Sequence, residues 1–583
     1  MKKSDTIHSV RNGNLLYRKY REFFIPTILA GVASSMSIII DSILVGNMLG
    51  PNEMASVNLC MPVMQFFYMI SVLIGMGAST LIAIQLGKRN RSMANRYFNL
   101  SFILVCLIGF LLTLGGAFSV DYLARFIASD DSLLPLVKSY LIPLLWGNWV
   151  IILLPASVYV LRTDGFVRLA SSVLVVANLF NLLLDVLFMG PLQMGILGSS
   201  LATVCGYTIG AGVLATYVFS THRSLSFELN AALFHQCVRR VKEMMITGLP
   251  AAVGIGLVAL KLFFMNHLVG DIAGSEGLVV FSVCISCLSF MSMFISGTAG
   301  TMMPIVGTLY GERDFRGIYF IMRYALRFSL VVSGVVLLLF EIFSAAVFAL
   351  FGVDSNAQIL AMGIVGLRMF AVSLVGVSIS FLMMYYFLTI RESLFANVIS
   401  VTEGLLFPVP LAWIFSRFLG LEGVWTGYIV TELFAILTIF LMIRYRKAQK
   451  KNEQLNLLLI QNMAPEVICE ATVSIDKSVN EPVAREVLDR LLHVYPDFQQ
   501  KELFVSLVQH VADQIHQLLK SNRQVWMDIR ILNQDQTISV LFRNDGVLYD
   551  PTRKLLTDYA DLAGRVHYSS VLALNQLQVD LVK

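Results

Sequence analysis

The chain has 583 residues, 57% of them hydrophobic and only 14% charged, with a net charge of +5. A mean hydropathy of +0.73 excludes an ordinary soluble domain. The basic residues cluster at the ends of apolar runs, where they act as orientation signals and not as a nucleic-acid surface.

The N-terminal stretch "MKKSDTIHSVRNGNLLYRKYRE" is polar and basic for too long to be a cleavable signal, and residues 1–22 read as a cytoplasmic segment. Apolar runs then follow near 24–49, 55–86, 97–126, 133–161, 168–190 and 196–220, a first lobe over 23–221. A basic connector, 222–243, leads to six more, near 245–269, 277–310, 317–351, 357–389, 393–417 and 423–446, a second lobe over 244–446. Each run reaches the roughly 20 residues that cross a hydrocarbon core of about 30 Å. Cys284 and Cys287 form a C-x-x-C inside such a run, where packing is the expected role, and the seven cysteines make no disulfide framework.

Connectors alternate in charge. "GKRNRSMANR", "RTDGFVR", "HQCVRRVK", "GERDFRG" and "RYRKAQKK" are basic, whereas "GPNEMAS", "IASDDS", "GPLQMG", "GDIAGSEG" and "GVDSNAQ" lack Lys and Arg. By the positive-inside rule both termini lie in the cytoplasm of a multi-pass plasma-membrane protein. The halves also repeat at an offset of about 220–226 residues, which puts Asp41 opposite Lys261, Gly50 opposite Gly270, Gly87 opposite Gly311 and Gly198 opposite Gly423. Six spans per half keep the repeats parallel, as suits two bundles rocking about a central cavity.

Asp41 stands alone in "SSMSIIIDSILVGNMLG". A carboxylate at mid-span costs about 2.5–3.5 kcal/mol on insertion scales and marks an ion or substrate path. In "ANLFNLLLDVLFMG", Asn178, Asn181 and Asp185 fall on one helical face, and Thr203 follows in the sixth span. These hard oxygens suit Na⁺, and two nearby carboxylates sharing a proton suit H⁺. In the second half Lys261 replaces Asp41, and Glu403 lies in "VISVTEGLLFPVP"; an ion pair and two separate hydrated sites are both open readings. Pro26 is placed to bend the first span.

The stretches "IIIDSILVGNMLGPNEMASVNLCMPV", "IGMGASTLIAIQLGKRNRSMANRYF" and "NLLLDVLFMGPLQMGILGSSLATV" resemble the multidrug and toxic compound extrusion (MATE) family, a likeness over roughly residues 15–446. It implies an all-α membrane bundle of twelve transmembrane helices in two six-helix lobes related by pseudo-two-fold symmetry. It also implies export of amphipathic or cationic small molecules in exchange for H⁺ or Na⁺, without enzymatic chemistry or a required cofactor. By position, the family's first-lobe coupling site falls on Asp41, Asn181, Asp185 and Thr203. Second-lobe cation binding is put in question by Lys261.

After a linker, 447–464, residues 465–583 read as a small α+β domain. Strands are predicted at "VICEATVSI", "QVWMDIRIL" and "TISVLFRND", and helices at "PVAREVLDRLLHVY" and "QKELFVSLVQHVADQIHQLLK". The pattern resembles the ATP-binding sandwich of anti-sigma-factor and histidine kinases, in degenerate form. Gln509 and Asp513 stand where that family has its catalytic-type Glu and Mg²⁺-binding Asn, Asn544 replaces its adenine-binding Asp, and Gly546 keeps the turn. The resemblance implies a regulatory module without kinase activity, with weak ATP or ADP binding left open and a cytoplasmic protein as a partner. The chain is thus expected to be a monomeric antiporter with a regulatory tail, its partners being substrates and lipid but not nucleic acid. A membrane receptor signalling through the tail, or a lipid-linked glycan flippase of the same superfamily, are the alternatives.

Overall fold

A computed structural model describes residues 9–127, 133–220, 223–227, 236–350, 357–450, 455–462, 466–475, 498–518, 524–534 and 537–582, with a few single positions between 464 and 496. The polar connectors at 128–132 and 351–356, much of the inter-lobe connector and most of the helix expected at 482–495 lie outside the described residues.

The first lobe comprises α1 (Asn14–Met48), α2 (Pro51–Gly87), α3 (Arg91–Ile127), α4 (Leu134–Thr163), α5 (Val167–Met189) and α6 (Gly195–Ala215). The second comprises α7 (Cys237–Gly274), α8 (Glu276–Gly311), α9 (Phe315–Leu350), α10 (Ala357–Thr389), α11 (Ser393–Leu419) and α12 (Leu421–Gln449). Among the described residues, eleven helices, α2 to α12, are long and apolar enough to cross a membrane. The predicted alternation of apolar runs is therefore recovered, with α1 as a further 35-residue helix at the start.

Local chemistry explains the breaks. Gly274 separates α7 from α8 with φ +58°, a conformation that costs a glycine little. Helix α1 runs through Pro26 without interruption, and Thr27 Oγ1 donates to Phe23 O at 2.8 Å beside it. Helix α11 contains a π-helical turn at Thr402–Leu406, and Pro408 restarts the α-helix. A proline at the first helical position loses no intrahelical bond, and π turns commonly re-aim a functional side chain.

The lobes meet along α2 on one side and α7–α8 on the other. A Cβ added to Gly77 would lie 2.2 Å from Met244 O, and one on Gly87 only 2.0 Å from Thr308 O. A Cβ on Gly311, which the sequence aligns with Gly87, would lie as close to Ile84 O, at 2.1 Å. Small residues let helix backbones touch in this way. At the end that carries the basic connectors, α2 and α8 are in backbone contact at Gly87 and Gly311.

At that same end lies a six-stranded sheet of order β1-β2-β3-β4-β6-β5. Its strands are β1 (Ser9–Val10), β2 (Val467–Ile475), β3 (Val525–Asn533), β4 (Thr537–Asn544), β5 (Val566–Val571) and β6 (Leu574–Val582). β1 pairs parallel to β2, with Ser9 opposite Glu470, and the remaining pairs are antiparallel. The N-terminal segment, read from sequence as a separate cytoplasmic piece, thus supplies an edge strand to the tail. Helix α13 (Lys501–Gln517) lays Phe504, Leu507, Val508, Val511 and Ile515 on the sheet's apolar face, as their helical spacing dictates. A short helix α14 (Thr552–Asp558) precedes β5.

Candidate functional site

In the first lobe α5 presents its polar face to α1 and α6. Asp185 is fully buried and Asn181 nearly so. Gly206 on α6 permits the approach: a Cβ there would lie 2.7 Å from Ala177 O and 2.9 Å from Asn181 N. With the backbones this close, Asn181 Nδ2 donates to Asp185 Oδ2 at 3.0 Å and to Thr203 Oγ1 at 3.3 Å. Asp41 comes from α1 and lies within interaction range of Asp185. Two neighbouring carboxyl groups can share a proton. One oxygen of each, Oδ1 of Asp41 and Oδ1 of Asp185, is buried without a partner. An uncompensated buried oxygen is costly, so the pair is a place for a proton or a small cation.

All four residues singled out in this lobe therefore come together. Asn178 belongs to a neighbouring contact, donating to Ser34 Oγ at 2.9 Å. Two contributors were missed in the sequence. Ser37 donates to Asn181 Oδ1 at 3.5 Å, and the buried Tyr140 of α4 stands within electrostatic reach of both carboxylates. Serine and tyrosine inside apolar runs carry no distinguishing signal, which is why only packing reveals them.

In the second lobe, Lys261 of α7 points between three helices. Its ammonium stands 5.8 Å from the ring centre of Tyr428, and both Glu403 and Glu432 lie within its electrostatic reach. Glu403 sits on the π turn of α11. Glu432, on α12, is buried and accepts from Ser380 Oγ at 3.3 Å. The contact depends on Gly376, where a Cβ would come within 2.3 Å of Glu432 Cβ. Glu432 was overlooked in the sequence, although "VTELFAIL" is a lone carboxylate in an apolar run, the same signal that marks Asp41. Cys284 and Cys287 are both buried in the apolar cluster of this lobe with Phe281 and Trp425, as packing residues would be.

In the tail, α13 carries a half-buried Gln509 and an exposed Asp513, and its residue Ile515 packs near Gly546. Asn544 Oδ1 accepts from Gly546 N at 3.1 Å and from Asn575 Nδ2 at 3.0 Å, so this oxygen closes the turn after β4.

The MatE family model matches residues 26–187 and 250–414, more than half of the chain and one segment in each lobe. The chain belongs to the MatE family. It is a multi-pass membrane protein of a family of multidrug transporters. Among MatE relatives, the probable multidrug resistance protein YoeA of Bacillus subtilis (strain 168) is 24% identical over 442 residues, 73% of this chain and 93% of that protein. The probable multidrug resistance protein NorM of Thermotoga maritima is 24% identical over 394 residues, covering 64% of this chain and 80% of NorM. A solved structure described as the outward-facing conformation of a multidrug resistance MATE family transporter of the MOP superfamily aligns at a TM-score of 0.70. It shares 25% identity and covers 74% of this chain and 96% of its own.

Proposed function

We propose that this MatE protein is a secondary antiporter that exports amphipathic or cationic small molecules in exchange for inward H⁺ or Na⁺. The observation that carries the reading is the Asp41–Asp185 pair, two neighbouring carboxyl groups inside an apolar lobe with one buried, unpartnered oxygen each. A proton or Na⁺ taken up there would neutralise the pair, with Asn181 and Thr203 supplying amide and hydroxyl groups around it. Release would restore a charge that favours hydration. Occupancy is thereby tied to which side of the membrane can hydrate the site, the requirement for alternating access. Helix α1 is read as the first of twelve spans, with Pro26 as the place where it bends to move Asp41.

The basic connectors and both termini are assigned to the cytoplasm of a plasma-membrane protein. The tail is read as a regulatory module and not a kinase. Its degenerate nucleotide motif, with Gln509 and Asp513 in place of the usual Glu and Asn, supports that reading. So does Asn544, whose amide oxygen is already bonded within the turn.

The test is export of ethidium from proteoliposomes under a pH gradient and, separately, a Na⁺ gradient, for the wild type, Asp41→Asn and Asp185→Asn. Gradient-driven flux in the wild type that both substitutions remove is the expected result. Flux indifferent to both would overturn the site, and the gradient that works names the ion.

A further inference from the structure

The tail sheet touches both lobes at the end where α2 and α8 are in backbone contact. On the second-lobe side, the loop between α8 and α9 offers Glu312 and Asp314 to two arginines, Arg11 and Arg543. Arg11, just after β1, binds Asp314 through both carboxylate oxygens, at 2.7 and 2.9 Å, and reaches Asp528 of β3 at 2.9 Å. Arg543 of β4 donates to Asp314 at 3.1 Å and also to Glu312. Arg530 of β3 donates to Glu470 of β2 at 3.0 Å, and Gln576 of β6 donates to Glu312 at 2.7 Å. Every one of these groups except Glu312 and the loop's Arg313 is 5% exposed or less. Bidentate guanidinium–carboxylate bonds in such a setting fix geometry closely.

On the first-lobe side, the β5–β6 turn inserts into the bundle. Leu572 at its tip is 2% exposed and belongs to the same apolar cluster as the helices. The turn backbone lies against Gly165, between α4 and α5, where a Cβ would come within 2.7 Å of Ala573 N. Lys19 of α1 donates to Ala573 O at 3.3 Å, and Ser224 of the inter-lobe connector donates to Ser570 O at 2.8 Å. The linker adds a third hold, with Tyr386 of α10 donating to Leu458 O at 2.7 Å and Leu459 buried beside it.

We infer that the tail is a lock on the transport cycle: one rigid sheet, fastened to both lobes at their basic ends, holds that side of the bundle shut. The inference rests on the antiport reading, since only a protein that must open on this side is slowed by closing it. Opening requires Gly77 to part from Met244 and Gly87 from Thr308. A sheet bonded to Asp314 on one side and Gly165 on the other opposes that separation until it leaves one lobe. The family's rocking bundle thus acquires an internal brake, which a ligand of the tail could release.

The test uses the full chain with Leu572→Asp. Leu572 has φ +57°, a conformation that Asp tolerates, and at a turn tip the change opposes insertion into the bundle without disturbing the sheet's core. A double variant with Leu459→Asp, at a second buried position of positive φ, weakens the linker hold as well. Hydrogen exchange is followed in peptides covering 567–576, 80–90 and 305–314, together with ethidium flux. The expected result is faster exchange in all three peptides and a rise in flux of about threefold or more, as release of a dominant closed population gives.

If the tail peptide exchanges faster while the 80–90 and 305–314 peptides and the flux stay as in the wild type, the lock is overturned. Retained protection of 567–576 in the double variant overturns it too, because these contacts then do not hold the tail. The exchange readout needs no transport. Loss of the antiport reading, seen as flux insensitive to Asp41→Asn in the wild-type background, is therefore told apart from loss of the lock.

Discussion

The two lobes bury different chemistry at the positions that the sequence aligns between them. The first lobe pairs Asp41 with Asp185 and surrounds them with Asn181, Thr203 and Ser37, a site with acids and no base. The second places Lys261 opposite Asp41 in the repeat and sets two carboxylates, Glu403 and Glu432, around it. A buried acid pair must take up a proton or a cation from outside to be neutral. A half-buried lysine within reach of two acids supplies a counter-charge of its own, and so has less need of an exchangeable ion. The difference teaches that a shared fold fixes where polar groups enter the lobe, while single side chains decide whether the site exchanges ions or only holds shape.

The largest effect should come from giving the first lobe the second lobe's residue. Asp41→Lys is expected to bring gradient-driven ethidium flux to background while the purified protein stays folded, because Asp185 then has a permanent counter-charge. Undiminished flux would erase the proposed division of labour. Next, Lys261→Met leaves Glu403 and Glu432 without the cation within their electrostatic reach, and should lower stability by less than the roughly 3–5 kcal/mol of a broken buried ion pair, since the ammonium is partly exposed. Thermal unfolding in detergent should show that loss, and Lys261→Met with Glu432→Gln should recover part of it. Additive losses would mean that the two residues do not interact.

A third prediction contrasts the anchors at the tail-bearing end. Burial pushes the Asp164 carboxyl up to about 6, although Tyr217 and the Ser224 backbone donate to it and Arg91 lies near. Asp314 is fully buried too, which by itself would raise it, but Arg11 and Arg530 more than offset this and hold it well below its ordinary range. Between about pH 6 and its ordinary value of 3.8, folded Asp164 binds a proton that the unfolded chain lacks. Acidification through that window therefore stabilises the fold, by about 2–3 kcal/mol at most. Asp314 acts in the opposite sense: its contribution is full above its unfolded value and is lost as pH falls below that. Unfolding curves at pH 7.5 and 5 should show the stabilisation in the wild type and its absence in Asp164→Asn. An identical pH response in the two proteins would rule out Asp164 as its source. The smallest effect is Ser380→Ala, which removes one hydrogen bond to Glu432 and should cost about 1 kcal/mol in the same unfolding measurement.

Much of the first-lobe site was legible because its strongest signals are local. A lone Asp in an apolar run and an i, i+3, i+7 polar face on α5 are visible without any neighbour. Glu432 gave the same kind of signal and was still passed over beside the more prominent Glu403. Ser37 and Tyr140 gave none, since serine and tyrosine are ordinary residues of a span until a carboxylate is packed against them. In the tail, strand and helix positions such as Val467–Ile475 and Lys501–Gln517 were readable from periodicity. That Ser9–Val10 would join the same sheet was not, because a two-residue strand has no pattern of its own and is defined by its partner.

The sequence by itself determined that the chain is a multi-pass membrane bundle, and it located the carboxylates and the lysine that lie within its apolar runs. Hydropathy over 20 residues and the charge of short connectors are properties of neighbouring residues, so they need no fold to be read. Only the tertiary structure decided that Asp41 meets Asp185, that Lys261 faces two acids, and that Arg11 and Arg543 converge on Asp314. Those contacts join residues more than 100 positions apart, and neighbouring helices close on one another at glycines such as Gly206, Gly376 and Gly87.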